Sequence, residues 1–595
     1  MALNKILSGM VQDFCEKNNY SDLAISKAYE YFVNYSIISK FHPEAFADPE
    51  DIREVDVDNG NSMFGIDCVA VIVNDNLIFN KNDIEMYSKA NTLDVKLVFI
   101  QTKIEERYDS GDLLKTISAV KSFFSDRALL SAGDQMQNAF EIYNELCEYK
   151  NSRLFNSASP RCYIYYVTAA GPCEMSQILK LCEKERTNFL SSFTDIKNVE
   201  IQPVGSEYIT NAYKEIENRI EVHINFRNSL SLDKIEQVEQ SYLGYLTGSE
   251  FLKIICDPQG NLRRRLFYEN VRDYQGTTPV NGEIRSTIST LNLHDKFILL
   301  NNGITIVARH FKPLGSNEYE MTDFQIVNGC QTSNELFLQK EKISDILIPV
   351  KIIHTTDSEL IALIVRASNR QTTVPDEAFV AMEAYHKKLQ DLFDSYSKDM
   401  PQKLYYERRS GEFDFLEKRP QRYQVVTLHG LIRCVTAVYF QDAYVVYNNN
   451  PVSILTSRKN QLFKEKHIPE VYYVSNYLLA QFSYFNHKKL FGADETRNRN
   501  IRYYVPMVAR ILLSRNTKIP DLSSKQAAIE AKAIISILQN KPEEVKSTFI
   551  QAANIINDSI SEFKSSETTI KEKDIIRSQK FNQLVIKKTE EAIMA

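Results

Sequence analysis

Asp67, Gln101 and Lys103 are the side chains of this 595-residue sequence whose types and spacing best suit a chemical reaction. Asp67 lies near the start of an apolar stretch, and 33 residues separate it from Gln101. A carboxylate in apolar surroundings is costly unless it is paired or binds a metal. Asp67 is therefore a candidate ligand for Mg²⁺, which prefers oxygen ligands. Gln101 and the carbonyl of Thr102 would complete the shell, and Lys103 would activate an attacking water.

Two predicted strands position these residues. The stretches 66–73 and 95–104 are apolar on both faces, which is typical of strands in the middle of a sheet. Side chains alternate along a strand, so Gln101 and Lys103 share one face and lie about 7 Å apart. If the two strands pair, Asp67 converges with both. The alternative is a buried aspartate–lysine pair in a purely structural sheet.

The pattern Asp-x33-Gln-x-Lys, preceded by Gly65 and Ile66, resembles the restriction-endonuclease-like PD-(D/E)xK nucleases. It is more similar to the Mrr-like branch, in which glutamine replaces the second acidic residue. The resemblance implies a phosphodiester hydrolase that requires Mg²⁺ or Mn²⁺. Because Gln101 is uncharged, metal binding would depend on Asp67 and one further acid.

Glu30 is the acid that this resemblance indicates, because similar nucleases carry a glutamate on the first helix that reaches the metal. The sequence predicts such a helix, capped by Ser21 or Asp22. The alternative for Glu30 is an ion pair with Lys27 or a contact with Asn34. Two other acids in the loop before Gly65 are alternative metal ligands but are expected to be solvated: Asp56 and Asp58.

The composition excludes several classes of protein. A net charge of −6 gives no general attraction for nucleic acid, so any such surface must be a local patch. The nine cysteines form no CxxC pair, which argues against zinc fingers and thioredoxin-type chemistry. No signal peptide and no apolar run of about 20 residues is present. We therefore expect a reduced, cytoplasmic protein with no membrane partner.

The order of predicted elements favours an α/β multidomain protein. Residues 1–215 read as α, β-hairpin, α, β, α, β, α, an order that fits a restriction-endonuclease-like α/β sandwich. Residues 216–400 read as a mixed α/β region. Residues 401–595 read as mainly helical, with strong helical spacing in the tail and a last segment, 566–595, whose alternating Lys and Glu predict a solvated helix.

Several apolar segments of the middle region run directly into polar turns. FILL leads to Asn301-Asn302-Gly303, and FQIV leads to Asn328-Gly329-Cys330-Gln331-Thr332. Both segments are predicted to be strands. Asn and Gly tolerate left-handed backbone, so these turns could serve only as caps, with Thr332 or Ser333 starting a helix. They also place amides, hydroxyls and backbone N–H groups where a phosphate or base could bind.

The ordered set NVRDYQG, VNGEI, FILLNNGITIVA, QIVNGCQTSNEL, IPVKII and ASNRQTTV resembles the AIPR family, named for abortive infection and phage resistance. The resemblance covers about residues 240–440 and implies a role in bacterial defence against phage. Transferred position by position, it implies a ligand- or nucleic-acid-binding role, with Arg272 and Arg370 as phosphate contacts. The motif positions are Asn270, Arg272, Asn301, Asn302, Gly303, Asn328, Gly329, Gln331, Thr332, Asn369 and Gln371.

Residues 403–423 interleave six basic residues with aromatic ones, a composition that suits a nucleic-acid groove. Four acidic residues dilute the charge, so a solvated loop of ion pairs is an equal alternative. Arg408 and Arg409 also fit the AIPR pattern, which favours a binding role.

Together these patterns predict a Mg²⁺-dependent endonuclease of anti-phage defence that acts on DNA rather than RNA. Asp67, Gln101, Lys103 and Glu30 would form its catalytic site. A phage-derived trigger and a homodimer are further expectations of the resemblance. The alternatives are a non-catalytic nucleotide or nucleic-acid sensor with a degenerate nuclease fold, which the uncharged Gln101 supports, and a structural protein.

Overall fold

The structure is a computed structural model, and it places most of the chain. Residues 58–64, 88–91, 126–133, 268–278, 368–383, 409–412, 414–419, 493–497 and 567–571 are the longer segments outside the described residues. The residues that it describes are 3–18, 20–42, 45–46, 49–57, 65–87, 92–125, 134–217, 220–258, 260–267, 279–315, 317–357, 360–361, 363–364, 367, 384–396, 398–408, 413, 420–492, 498, 500–566 and 572–594.

The N-terminal region is built around a five-stranded sheet. Its strands follow the order β2-β1-β3-β4-β5. They are β1 (Cys68–Val73), β2 (Asn76–Ile78), β3 (Val95–Lys103), β4 (Arg161–Thr168) and β5 (Asn198–Val204). The helices are α1 (Lys5–Asn18), α2 (Ile25–Phe41), α3 (Ser110–Ser125), α4 (Asp134–Cys147), α5 (Tyr149–Ser152), α6 (Ser176–Ser192) and α7 (Ser206–Ile216).

The predicted strand pair forms at the centre of this sheet. β1 is antiparallel to β3, with Cys68 opposite Ile100, while β3, β4 and β5 are parallel to one another. All six residues of β1 are buried, as expected for an inner strand that is apolar on both faces. The apolar composition of β1 and β3 therefore places them inside the sheet and brings the residues that flank β1 next to the end of β3.

The middle region is built around a six-stranded mixed sheet of order β6-β10-β9-β11-β8-β7. Its strands are β6 (Glu221–Asn225), β7 (Asn228–Ser231), β8 (Gln240–Thr247), β9 (Ile304–Gly315), β10 (Glu318–Asn328) and β11 (Leu347–His354). The accompanying helices are α8 (Gly248–Ile255), α9 (Pro279–Ser289), α10 (Phe297–Leu300) and α11 (Cys330–Leu338).

Two local predictions for this region were wrong. FILL forms the short helix α10 instead of a strand, and the strand begins only at Ile304, after Gly303 turns the chain with a φ of 83°. Helix α11 begins at Cys330, before Thr332, because Gly329 adopts a φ of 99° and caps it. A Cβ on Gly329 would lie 2.8 Å from Ile304 Cγ1, so only glycine fits this turn without displacement.

The C-terminal region is helical, as predicted. Its two short strands, β12 (Tyr405–Tyr406) and β13 (Val425–Val426), pair in parallel. Its helices are α12 (Ala384–Tyr396), α13 (Leu428–Val438), α14 (Ala443–Asn448), α15 (Pro451–Ser457), α16 (Pro469–His487), α17 (Tyr504–Ser514), α18 (Lys525–Asn540), α19 (Pro542–Ser566), α20 (Glu572–Ile576) and α21 (Gln579–Met594). The prediction of a fully solvated last helix was wrong, because α21 buries one face through Phe581 and Val585.

The chain divides into two compact units. One contains residues 1–35, 44–207 and 380–595, and the other contains residues 36–43 and 208–379. The C-terminal helices therefore share a unit with the first sheet, where Arg433 contacts Asp51 at 3.3 Å and Arg422 donates to the Tyr35 hydroxyl at 2.8 Å. The boundaries near 215 and 400 that the sequence suggests remain a prediction. Across the described residues, no helix has the length and apolar character that crossing a membrane requires.

Candidate functional site

Asp67 and Gln101 meet at the end of the β1–β3 pair. Both side chains are buried. Asp67 Oδ2 accepts a hydrogen bond from Gln101 Nε2 at 2.6 Å and another from the backbone N–H of Thr102 at 2.6 Å. Two donors on one oxygen hold the carboxylate in a single orientation. The convergence of Asp67 with Gln101 that the strand pattern predicts is therefore present.

The amide of Gln101 is placed between two oxygens. Its Nε2 lies 2.6 Å from Asp67 Oδ2 and 3.3 Å from the carbonyl oxygen of Thr102. Its Oε1 is buried and accepts no hydrogen bond from any described residue. The two ends of an amide are assigned from the bonding network. Turning this amide by 180° would break the two contacts of Nε2 but no bond to Oε1. It would bring Gln101 Oε1 next to Asp67 Oδ2 and the carbonyl oxygen of Thr102.

Glu30 lies on α2 in a cluster of charged groups. Lys27 Nζ bonds Glu30 Oε1 at 2.7 Å and Asp56 Oδ1 at 2.8 Å. The hydroxyl of Tyr31 donates to Asp56 Oδ2 at 3.0 Å. Asp56 is buried, so the expectation that it would be solvated was wrong: Lys27 and Tyr31 replace the water that the carboxylate loses. Asp58 lies outside the described residues.

The electrostatics connect this cluster to Asp67. Burial, and after it the negative charge of Asp67, raise the pKa of the Glu30 carboxyl to about 8, although Lys27 acts to lower it. Burial acts to lower the pKa of Lys27, but Asp56 and Glu30 raise it overall. Glu30 therefore has both relations that the sequence suggested, a pair with Lys27 and proximity to Asp67.

Lys103 ends β3 on the face that also carries Gln101, because side chains alternate along the strand. Its side chain is half-buried. It forms no ion pair or hydrogen bond with another residue of the described chain, so a buried Asp67–Lys103 pair is not observed. An ammonium group without a carboxylate partner can contact a phosphoryl group or a water at this edge of the sheet.

The oxygen groups at this site suit a hard divalent cation. Asp67, the amide of Gln101, the carbonyl of Thr102 and the carboxylate of Glu30 are the donor types that Mg²⁺ prefers. The unpaired Gln101 Oε1 is the specific observation in favour of this fit. Among the described residues, Asp67, Glu30 and Asp56 do not bring three carboxylate oxygens within 4.8 Å of one another. A cation here would therefore depend on the amide and carbonyl oxygens as well.

A second group of possible metal ligands lies at the surface of the six-stranded sheet. Ligand atoms of Glu221, His223 and Glu320 lie within 4.8 Å of one another. His223 Nε2 lies 2.8 Å from Glu221 Oε1 and 3.6 Å from Glu320 Oε2. All three side chains reach solvent, and the two carboxylates flank the imidazole, so an ordinary surface ion pair explains the group.

The polar turns of the middle region bond to one another. Asn301 Oδ1 accepts from the backbone N–H of Gly303 at 3.0 Å, and Asn301 Nδ2 donates to Thr332 Oγ1 at 3.2 Å. Gln331 Oε1 accepts from Asn281 Nδ2 at 2.8 Å. These contacts join α9, the turn before β9 and the start of α11 into one network, so the motif residues stabilise the fold whatever else they bind.

Two motif asparagines keep their amides out of that network. Asn302 is exposed, and Asn328 is half-buried at the end of β10. Neither side chain forms a hydrogen bond with a residue in the described ranges. They are therefore the motif side chains of this region that are best placed to contact a ligand.

The sequence reasoning missed the ion pair that joins α9 to α11. Arg285 on α9 donates to both oxygens of Glu335 on α11, at 2.8 and 3.0 Å, and the Glu335 side chain is 0% exposed. The 50-residue separation gave no local signal.

The sequence reasoning also missed the bridge that Lys27 forms between Glu30 and Asp56. The spacing of three residues between Lys27 and Glu30 was the available signal.

Arg408 is buried in the helical region. The burial of His386 lowers its pKa to about 3, and the positive charge of Arg408 adds to this effect. Arg408 therefore does not line an open groove by itself. Six of the predicted binding residues lie outside the described residues: Asn270, Arg272, Asn369, Arg370, Gln371 and Arg409.

The fold and the site define a mixed α/β protein with a helical C-terminal region and a buried cluster of carboxylates and amides on its first sheet. Residues 267–562 match the family model described as AIPR protein. The match supports the AIPR identity that the motifs indicated for that part of the chain. No curated protein and no solved structure matches the chain.

Proposed function

We propose that this protein is a metal-dependent nuclease of bacterial anti-phage defence that hydrolyses phosphodiester bonds, with DNA favoured over RNA as the substrate. One observation carries the proposal. The amide of Gln101 lies between Asp67 Oδ2 and the carbonyl oxygen of Thr102 with its own oxygen unpaired. An amide in this position can exchange its nitrogen for its oxygen when a cation arrives, so an uncharged glutamine does not exclude metal binding.

Each side chain of the site has a role in this proposal. Asp67, Glu30 and Gln101 would hold Mg²⁺ or Mn²⁺, which would polarise the phosphoryl group when bound. Lys103 would hold the attacking water and give the transferring group a positive neighbour. The absence of an ion pair between Lys103 and the described residues supports this role, because a paired ammonium would be less available.

The topology of the first sheet supports a nuclease-like fold. An N-terminal helix is followed by the antiparallel strands β1 and β3, and then by helices that lead to the parallel strand β4. The candidate acid and the Gln-Thr-Lys sequence lie on neighbouring strands at one edge. These are the features on which the resemblance to PD-(D/E)xK nucleases rests.

The family match supports the role in defence. Residues 267–562 would recognise nucleic acid or a phage-derived trigger, and Asn302 and Asn328 are candidates for direct contacts. A homodimer would place two sites on the two strands of a duplex.

The test is cleavage of plasmid DNA and of RNA by the full chain with Mg²⁺, Mn²⁺ or EDTA. We expect metal-dependent cutting that Lys103→Ala lowers by roughly 100-fold, the low end for loss of a group that handles a proton. The matched control is Lys115→Ala, because the Lys115 side chain is 75% exposed. Full activity of Lys103→Ala would remove the site assignment. No cutting by the wild type, even with lysate from phage-infected cells, would remove the nuclease.

The second candidate is a non-catalytic nucleotide or nucleic-acid sensor. The observation in its favour is that Gln101 and the Thr102 N–H satisfy Asp67 Oδ2 without any metal. Calorimetry with nucleotides and Mg²⁺ separates the two candidates. Nucleotide binding by a wild-type protein that cuts nothing would favour the sensor, and the absence of binding would count against it.

A further inference from the structure

Strand β1, which begins directly after Asp67, is paired along both of its edges. β3 pairs with one edge. On the other edge, β2 lies beside the end of β1, and residues 55–57 lie beside its start. Val57 N–H donates to the carbonyl oxygen of Asp67 at 2.9 Å, and Val69 N–H donates to that of Val55 at 3.0 Å. The backbone of Asp67 is therefore held by residues 55–57 as well as by β3.

Residues 55–57 also connect to Glu30, the second candidate acid. Lys27 Nζ bonds Asp56 Oδ1 at 2.8 Å and Glu30 Oε1 at 2.7 Å. One short segment thus contacts the backbone of Asp67 directly and reaches Glu30 through a single lysine. A displacement of this segment would therefore change the positions of both proposed metal ligands.

The helical C-terminal region contacts the chain just before this segment. Asp51 lies in the 3₁₀ turn Pro49–Glu54, which leads directly into residues 55–57. Arg433 Nη1 donates to both of its carboxylate oxygens, at 3.3 and 3.4 Å, and each side chain is 13% exposed. Arg433 lies on α13, inside the part of the chain that matches the AIPR family model. Separating a charge pair that is largely removed from water is costly, so we expect α13 and this turn to move together.

A second contact of the same kind lies beside β2 and allows a comparison. Asp83 is 1% exposed in the 3₁₀ turn Lys81–Tyr87, which follows β2. Its Oδ1 accepts from the backbone N–H of Asn450, the residue that caps α15, at 3.0 Å. β2 pairs with Val71–Val73, at the end of β1 that is farther from Asp67. Both segments along this edge of β1 therefore contact the C-terminal helices through an aspartate, but the Asp83 contact lies away from the candidate site.

We propose that residues 51–57 form a linking segment through which the helical C-terminal region sets the position of Asp67, with Asp51 and Arg433 as positioning residues at its start. The inference rests on the proposed function and deepens it, because it adds the regulation of the same site. The hydrogen bond from Val57 transmits the change, since moving the Asp67 backbone also moves its carboxylate. A trigger that binds the AIPR part of the chain and moves α13 would then change the affinity of the first sheet for a divalent cation.

The test compares Asp51→Asn with Asp83→Asn in the full chain. Each change removes a negative charge from a largely buried contact with the C-terminal helices, so both variants should have a lower melting temperature in EDTA. The decisive measurement is the affinity for Mn²⁺ and Mg²⁺ by calorimetry, at a temperature where circular dichroism shows that both variants are folded. Neither measurement requires catalytic activity.

We expect only Asp51→Asn to change metal binding. Its affinity for Mn²⁺ should fall by roughly tenfold, the low end for a group that acts behind a direct ligand. Asp83→Asn should bind the metal as tightly as the wild type, although it is also destabilised. An unchanged affinity in a folded Asp51→Asn protein would overturn the inference. An equal loss of affinity in Asp83→Asn would overturn it too, because a general loosening of the contact with the C-terminal helices would then explain both results.

A measurement on the wild-type protein covers the case in which Asp51→Asn fails to fold. Coupling between two sites is reciprocal, so a metal bound at Asp67 should also stabilise the linking segment and α13. We expect Mn²⁺ to slow hydrogen–deuterium exchange in peptides that cover residues 51–57 and α13. Peptides that cover residues 81–87 and α15 should exchange as they do without metal.

The outcomes separate this inference from the proposed function. If the wild-type protein binds neither metal, the proposed function fails and the inference fails with it. If Mn²⁺ binds but exchange in residues 51–57 and α13 stays as it was, only the inference is overturned.

Discussion

The two sheets of this molecule carry polar clusters that differ in the partners of their buried polar groups. On the six-stranded sheet, Asn301, Thr332, Gln331 and Asn281 exchange hydrogen bonds within the cluster, and a buried carboxylate has a two-pronged arginine partner. On the five-stranded sheet, Gln101 Oε1, Thr102 Oγ1 and both ends of Asn34 are buried without partners in the described chain.

Both clusters keep unpaired buried atoms, because Ser333 Oγ at the start of α11 also has no hydrogen-bond partner among the described residues. The second cluster differs in that an arginine compensates its buried carboxylate, so a cation would gain little there. A buried cluster with unused acceptors costs stability and gains it back when a cation or water arrives. The comparison therefore favours the first sheet for the proposed chemistry and a mainly structural role for the described turns of the second.

The largest expected effect belongs to Asp67. Asp67→Asn keeps the shape and the hydrogen-bonding capacity but removes the charge that attracts a cation. We expect cleavage and Mn²⁺ affinity to fall by well over 100-fold, beyond the roughly 10–100-fold that partners of direct ligands contribute. Calorimetry and plasmid cleavage measure the two effects. Asp112→Asn is the matched control, since Asp112 lies on α3 and forms its ion pair in the described part of the chain with exposed Lys115. If Asp67→Asn bound the metal as tightly as the wild type, the proposal that the first sheet holds the metal site would be contradicted.

The next effect tests the bonded network on the second sheet. Arg285→Leu leaves the Glu335 carboxylate buried and uncompensated, which we expect to cost about 3 kcal/mol of local stability. Hydrogen–deuterium exchange of α11 reports this loss without requiring the whole chain to unfold in one step.

The double variant Arg285→Leu, Glu335→Leu is the control, because it replaces the pair by apolar groups and should recover most of the loss. Metal affinity should stay unchanged in both variants. Arg285→Leu would contradict a structural role if it abolished cleavage while exchange in α11 remained as in the wild type.

A third effect concerns the pH dependence of stability in EDTA. The pKa of Glu30 is raised to about 8 by burial and by Asp67, whereas an ordinary glutamate has a pKa of about 4.5. Between these values the folded state holds a proton that the unfolded state has lost. Stability should therefore decrease as the pH rises from 5 to 8, by at most about 1.4 kcal/mol per pH unit.

Glu30→Gln should remove this contribution, so thermal unfolding in EDTA should change less between pH 5 and pH 8. Glu185→Gln is the control, because Lys121 lowers the pKa of Glu185 and its effect falls below this pH range. If Glu30→Gln and the wild type had the same dependence on pH, the pairing of Glu30 with Lys27 would outweigh its burial near Asp67.

Local patterns predicted the central part of the candidate site correctly. Two stretches that are apolar on both faces indicated adjacent inner strands, and alternation along β3 placed Gln101 and Lys103 on one face. FILL forms a helix, and the strand begins only at Ile304, after Gly303 turns the chain. The wrong prediction for Asp56 involves distant packing, because Lys27 and Tyr31 from α2 satisfy its carboxylate. A single segment carries no information about such partners.

The sequence by itself determined the order of helices and strands, the strand pair that carries Asp67, Gln101 and Lys103, and the AIPR-like motifs of the middle region. These follow from residue spacing, which acts over a few residues at a time. Only the tertiary structure decided which polar groups are satisfied. In the folded protein, Asn301 and Gln331 form hydrogen bonds, and Glu335 pairs with Arg285. Gln101 Oε1 and the Asn34 amide are buried without hydrogen-bond partners among the described residues. Whether a buried polar group is satisfied depends on chain segments far away in sequence, so no single segment of this sequence predicts it.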